Sequence, residues 1–188
     1  MASKVSICNR ALAAIGVKQR IASMSEDSEA ARKCNLIFED CLAEVLRAYN
    51  WNCAQARASL AQSVETPAFG YEYKYALPID CLRVISIEDE DESSDYKIEG
   101  RFLLSDDTAV KILYIKQLGD VNELDALCRR CLAARIAAEI AYPLTNSNTL
   151  TESMWALYAG MMTEATEIDA QEGTAGRWES SSWIDERV

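Results

Sequence analysis

Apolar positions near the start of the chain recur every three or four residues, the spacing that gathers one face of a helix. Val5, Cys8, Leu12 and Ile15 trace such a stripe over 3–15, and Gly16 is placed to stop it in the left-handed conformation. A link rich in serine and acid follows. In it Ser23 and Glu26 have the spacing of a capping box, with Ser25 and Ser28 as alternative caps. The stripe resumes over 29–49 with Ala30, Cys34, Ile37, Cys41, Val45 and Ala48, widened by Phe38 and Leu42. Between 54 and 117 helical spacing vanishes. Short runs take its place: ARASLAQ, YEYKYAL, LRVISIE, YKIEGRFLL and VKILYIK. The tyrosines of YEYKY alternate with charge, and VKILYIK sets Val110, Ile112 and Tyr114 on one side and Leu113 and Ile115 on the other. Pro67, Pro78, Gly100 and Asp106-Asp107 punctuate the runs, so the stretch predicts about five mainly antiparallel strands. Glu88 to Glu92, with Asp95 close behind, reads as a hairpin tip held in solvent by its own repulsion.

Helical spacing returns near 122. Asp120 and Glu123 are positioned as cap and box, Leu124, Leu127, Cys131, Ile136 and Ile140 run along the face, and Pro143 is expected to end it. A last helix repeats Leu150, Met154, Leu157, Met161, Ala165 and Ile168, and the pattern stops after Glu172. The predicted fold is α+β, mainly α. An antiparallel four-helix bundle forms from 1–53 and 118–172, and a small antiparallel β-sheet insert (54–117) lies between helices 2 and 3. An extended C-terminal tail, 173–188, completes the chain.

The 188 residues are enough for a core that buries roughly 70% of the extended-chain surface. Thirty acidic against 19 basic residues give a net charge of −11, a surface that repels phosphate backbones, and no Lys/Arg run offers a local exception. No apolar run approaches the roughly 18 residues of a membrane span, and MASKVSICNR lacks the apolar core of a secretion signal. Seven cysteines, an odd number, are expected as reduced thiols. Histidine is absent, which excludes Ser-His-Asp and Cys-His catalysis and histidine-ligated metals.

Cys128 and Cys131 form a CxxC, with Cys34 and Cys41 as the nearest further thiols, but the pair sits inside an apolar helical stripe where thiols pack as small hydrophobes. No phosphate loop, GxSxG or dinucleotide fingerprint is present, so neither cofactor nor metal is expected. Trp51 is expected to plug the junction between bundle and sheet. Acidic pairs are unavoidable in this composition; they keep open one enzymatic alternative, a small carboxylate-dependent cell-wall hydrolase. A helical scaffold unrelated to viruses is the other alternative. The tail carries Trp178 and Trp183 where periodicity has ended, and Trp is enriched at interface hot spots, so Arg177, Trp178, Trp183 and Ile184 are the candidate partner-binding residues.

The order of several short motifs resembles the head-to-tail adaptor, or tail tubular protein A, family of short-tailed phages. They begin with Asn9-x-Ala11-Leu12-x-Ala14-Ile15-Gly16, Ile21-Ala22-Ser23-Met24, Glu29-Ala30-Ala31 and Cys34-Asn35. Leu46-x-x-x-Asn50-Trp51-Asn52-x-Ala54 follows, then Tyr73-x-Tyr75-x-Leu77-Pro78-x-Asp80-Cys81-Leu82-Arg83-Val84 and Tyr96-x-Ile98-Glu99-Gly100. Tyr114-Ile115 with Asp120 and Leu132-Ala133-x-x-Ile136-Ala137 complete the set, which spans roughly 3–170. Cys53 stands where many relatives carry Phe, and the tail beyond 172 has no counterpart. The resemblance implies a structural virion protein at the head-tail junction rather than an enzyme. It would assemble with itself as a ring, a dodecamer, between the portal protein and the tail nozzle protein. Genomic DNA would pass through without specific binding, and no membrane is involved.

Overall fold

The computed structural model describes residues 2–88 and 95–172. Its elements run in the order α1 (Lys4–Ala14), α2 (Glu29–Ala48), β1 (Gln55–Ser59), β2 (Tyr73–Ala76), β3 (Cys81–Ile87), β4 (Tyr96–Glu99), β5 (Phe102–Ser105), β6 (Lys111–Lys116), α3 (Ala126–Thr145) and α4 (Asn148–Asp169). Ser3 caps α1, its hydroxyl accepting from the Ser6 amide, and Gly16 follows with φ +77°, the conformation its lack of a side chain allows. Of the candidate caps for α2, Ser28 takes the role, accepting from the Ala31 amide.

The expected single small antiparallel sheet, inserted between helices 2 and 3 of an antiparallel four-helix bundle, is not what forms. The described residues contain two three-stranded antiparallel sheets, ordered β1-β6-β3 and β2-β5-β4. In the first, Gln55 to Ser59 pair with Ile115 to Lys111, and β3 pairs with the other edge of β6 through two register shifts. Those shifts let one strand serve two cores, since Leu82 and Ile85 pack with the helices while Cys81, Val84 and Ile87 join the other side. The second sheet contributes Tyr75 and Leu103 to that second core, against Val110, Ile112 and Tyr114. Three layers result: helices, first sheet, second sheet. A sheet with both faces covered cannot be a separable insert, and alternation in the strands could not reveal that the run would divide.

The helices depart from the bundle as well. α3 is the hub: Cys128, Cys131, Leu132, Ile136, Ala137 and Ala141 are buried, and its many alanines let neighbours approach closely. α1 and α2 both pack against it, while α4 docks chiefly on α3 and buries only Ala165 and Asp169. Leu157 and Ile168, expected in the apolar stripe of α4, are exposed; the face that packs carries Leu150, Met154, Tyr158, Met161 and Met162. Arg135 of α3 fastens α4 from the side. Its guanidinium stacks 4.3 Å from the Trp155 ring centre and pairs with Glu139 at 2.9 Å and with Glu44 of α2.

Two boundaries move. α3 starts at Ala126 with Asp125 as cap, while Asp120 instead holds the turn before it, accepting from the amide and side chain of Asn122. Pro143 does not end α3. The helix continues to Thr145, because a proline in the last turn removes only one hydrogen bond, and Asn146 closes it at φ +53° with its amide on the Tyr142 carbonyl, 2.8 Å away. Among the described residues no helix is long and apolar enough to cross a membrane.

Candidate functional site

Where α2 ends and β1 begins, three polar residues and a tryptophan tie the layers together. Trp51 is fully buried, and its indole N–H donates to the Val45 carbonyl at 2.8 Å. That carbonyl is among the last four of α2, which have no partner within the helix, so the indole acts as a cap from the side. Asn52 reaches α4: its amide donates to the Asp169 carboxylate at 3.2 Å, and its side chain donates to the Asp169 carbonyl at 2.8 Å. Burial pushes the Asp169 carboxyl above its usual pKa, against the amide bond from Asn52. Asn50 turns the other way and accepts from Arg83 of β3.

Beside this joint the fold gathers cations that lie far apart in the chain. Arg47 comes from the last turn of α2, Arg83 from β3, and Arg101 from the turn between β4 and β5; all three line a cleft of about 370 Å³. Gly100, at φ +61°, makes that turn and so presents Arg101. Val84, Tyr96 and Ile98 supply apolar lining. Arg47 donates to the Leu82 carbonyl, and Arg101 to the carbonyls of Pro78 and, at 3.0 Å, Cys81. Among the described residues none of the three guanidinium groups pairs with a carboxylate. Among the described residues the cleft is therefore a cationic patch without a carboxylate partner on an acidic protein, chemically suited to carboxylates flanked by apolar side chains.

The cysteines form no ligand set. Among the described residues no three His, Cys, Asp or Glu groups could hold a metal ion. Cys128 and Cys131 are buried in α3, and burial pushes the Cys131 thiol up to about 11. Cys34 does not meet them; it lies beside Cys8 of α1, while Cys53 lies beside Cys128. The neighbouring Cys128 thiol holds the Cys53 thiol down at about 7, while Cys53 and burial push the Cys128 thiol itself well up.

Arg177, Trp178, Trp183 and Ile184 lie outside the described residues, as does 89–94 of the acidic run, whose flanks Glu88 and Asp95 are exposed. Two exposed apolar groups stand elsewhere. Val64, Phe69 and Ile79 project from the loops around β2, Phe69 at 89% and Ile79 at 97% exposure, and Leu157 and Ile168 share one flank of α4, with Trp155 on the opposite flank under Arg135. Sequence reasoning missed the arginine cleft, since nothing in the spacing of Arg47, Arg83 and Arg101 joins them. The only hint was that motifs around Asn50, Pro78 to Val84 and Gly100 stood out together.

No protein-family model and no curated protein matches the chain.

Proposed function

We propose that this chain is a structural virion protein, a head-to-tail adaptor that forms a ring between the portal and the tail nozzle of a short-tailed phage or prophage. The observation that carries the reading is where the adaptor-like motifs sit: they occupy the joints of the fold. Asn9 is bonded twice to Ile21, donating to its carbonyl and accepting from its amide, both at 2.9 Å. Asn50 binds Arg83, the Pro78 and Cys81 carbonyls bind Arg101, and Asp80 accepts from the Tyr114 hydroxyl. Polar bonds of this kind need particular residues at particular places. A set of motifs in one order is thus the signature of one arrangement of parts.

A ring requires two different surfaces on each copy, because head-to-tail contacts close only when unlike patches meet. The exposed apolar groups of α4 and of the β2 loops supply two such surfaces. The negative charge of −11 suits a channel that DNA passes without sticking. In this reading the chain catalyses nothing. Mixing the protein with the portal protein of the same genome should give a discrete complex with about one copy per portal subunit, seen as a second ring by negative stain. Two proteins that ignore each other across salt and concentration would overturn the reading. Clearing of a peptidoglycan suspension, lost on a single Glu→Gln change, would replace it with the hydrolase.

A further inference from the structure

Among the described residues the two sheets leave two strand edges at one space. β3 ends the first sheet and β4 ends the second, and residues of both line the arginine cleft. All four residues of β4 are exposed, with Tyr96 at 39% and Ile98 at 41%. An exposed edge bearing large apolar side chains invites pairing with another strand, and folded proteins commonly cover it. Arg83 adds a second sign of incompleteness, for its Nε is buried and has no acceptor among the described residues. We propose that this cleft is the docking site of the chain's own segment 178–186, which lies along β4 as an added strand.

Chemistry, reach and backbone all favour that occupant. The segment Trp178-Glu179-Ser180-Ser181-Ser182-Trp183-Ile184-Asp185-Glu186 holds three carboxylates, no base, no proline and no glycine. In an extended strand Trp183 and Asp185 share a face, so an aromatic ring meets Tyr96 and Ile98 while a carboxylate meets a guanidinium. Each guanidinium has five N–H donors, more than the one or two bonds these make, so donors remain. The route is short. α4 ends at Asp169, which is bonded to Asn52, and Asn50, two positions earlier, is bonded to Arg83 at the cleft wall. Six extended residues from Glu172 to Trp178 cover roughly 20 Å. Tethering of this kind gives an effective concentration on the order of millimolar, which a free peptide would not have. The proposal does not depend on ring assembly, since a single copy contains both partners.

The test uses the full chain with p-benzoylphenylalanine in place of Trp183, an aromatic photo-crosslinker. An equal mixture of nitrogen-15-labelled and unlabelled copies is irradiated at low concentration, and the adducts are mapped by mass spectrometry. Adducts should fall in 79–84 and 96–101 and join peptides of the same isotope. The neutralised arm, Glu179→Gln, Asp185→Asn and Glu186→Gln together, should lower their yield at least fivefold. The double variant Arg47→Glu, Arg101→Glu should do the same with its far-ultraviolet circular dichroism unchanged; if it unfolds, the arm variant decides alone. Adducts elsewhere in the chain, or a yield indifferent to neutralising the arm, would overturn the proposal. Mixed-isotope adducts would also overturn it, placing a second copy's arm in the cleft. Adducts to the acidic run 88–95 would do so as well, placing the arm elsewhere.

Discussion

Asp169 ends α4 with a carboxylate that is nearly enclosed and sits at the negative end of the helix dipole. Burial raises its pKa, so the folded chain holds the proton more tightly than the unfolded one. Between the unfolded value, about 3.9, and the higher folded value, unfolding therefore releases a proton, and stability falls as pH rises through that window. Asp169→Asn keeps an oxygen to accept from the Asn52 amide and deletes the charge. Relative to this variant, the natural chain should lose stability as pH rises from acid to neutral. The gap at pH 7 should be roughly 0.3–1 kcal/mol, the scale of a charge at a helix end. Urea midpoints of the two proteins across pH measure it. A variant less stable than the natural chain at pH 7, with a parallel pH profile, would show that the charge itself is needed. Trp51, a few residues from that bond, holds its place by different means: a large buried ring and one N–H on an otherwise partnerless carbonyl. Losing that bond alone would cost about 1–3 kcal/mol.

At the scale of elements, α4 is the least embedded of the long helices, and Arg135 is what fixes it laterally. The guanidinium combines a stack on Trp155 with ion pairs to Glu44 and Glu139. Lysine keeps the charge but loses the planar fork and the stack. Arg135→Lys should therefore destabilise the protein by about 1–3 kcal/mol. Its first effect should be faster hydrogen exchange in α4 while α3 amides still exchange only through global unfolding. Equal acceleration in both helices would mean that α4 and α3 open as one unit. The stripe of α4 misled because Leu157 and Ile168 fit a helical period as well as Tyr158 and Met162 do; only the position of α3 chooses between the two faces. α1 and α2 were legible because their apolar residues fall on one face and their ends carry serine or glycine. The division of the strands into two sheets was not legible, since alternation records that a strand has two faces and not which layer each face meets. Nor were the cleft arginines, which reach their carbonyl acceptors only after the chain has folded three layers deep.

For the whole molecule, charge bears on how copies would meet in the proposed ring. Each carries −11, and such a ring would set neighbouring acidic surfaces within a Debye length, about 10 Å at 0.1 M salt. If unlike apolar surfaces join neighbours, with Leu157 and Ile168 of one copy against Phe69 and Ile79 of the next, salt removes repulsion and leaves the attraction intact. If the cationic cleft of one copy instead gripped the acidic arm of another, salt would weaken the attraction itself. The cleft is filled from within the chain in the arrangement proposed above, so assembly rests on the apolar surfaces. The assembled fraction, measured by sedimentation velocity with the portal present, should therefore rise as salt increases from about 20 mM to about 300 mM. Replacing Leu157 and Ile168 with serine should abolish that rise, while the neutralised arm should leave it unchanged. A fraction that falls steadily with salt would place the arm and the arginines at the subunit boundary, and the apolar surfaces would then need another partner.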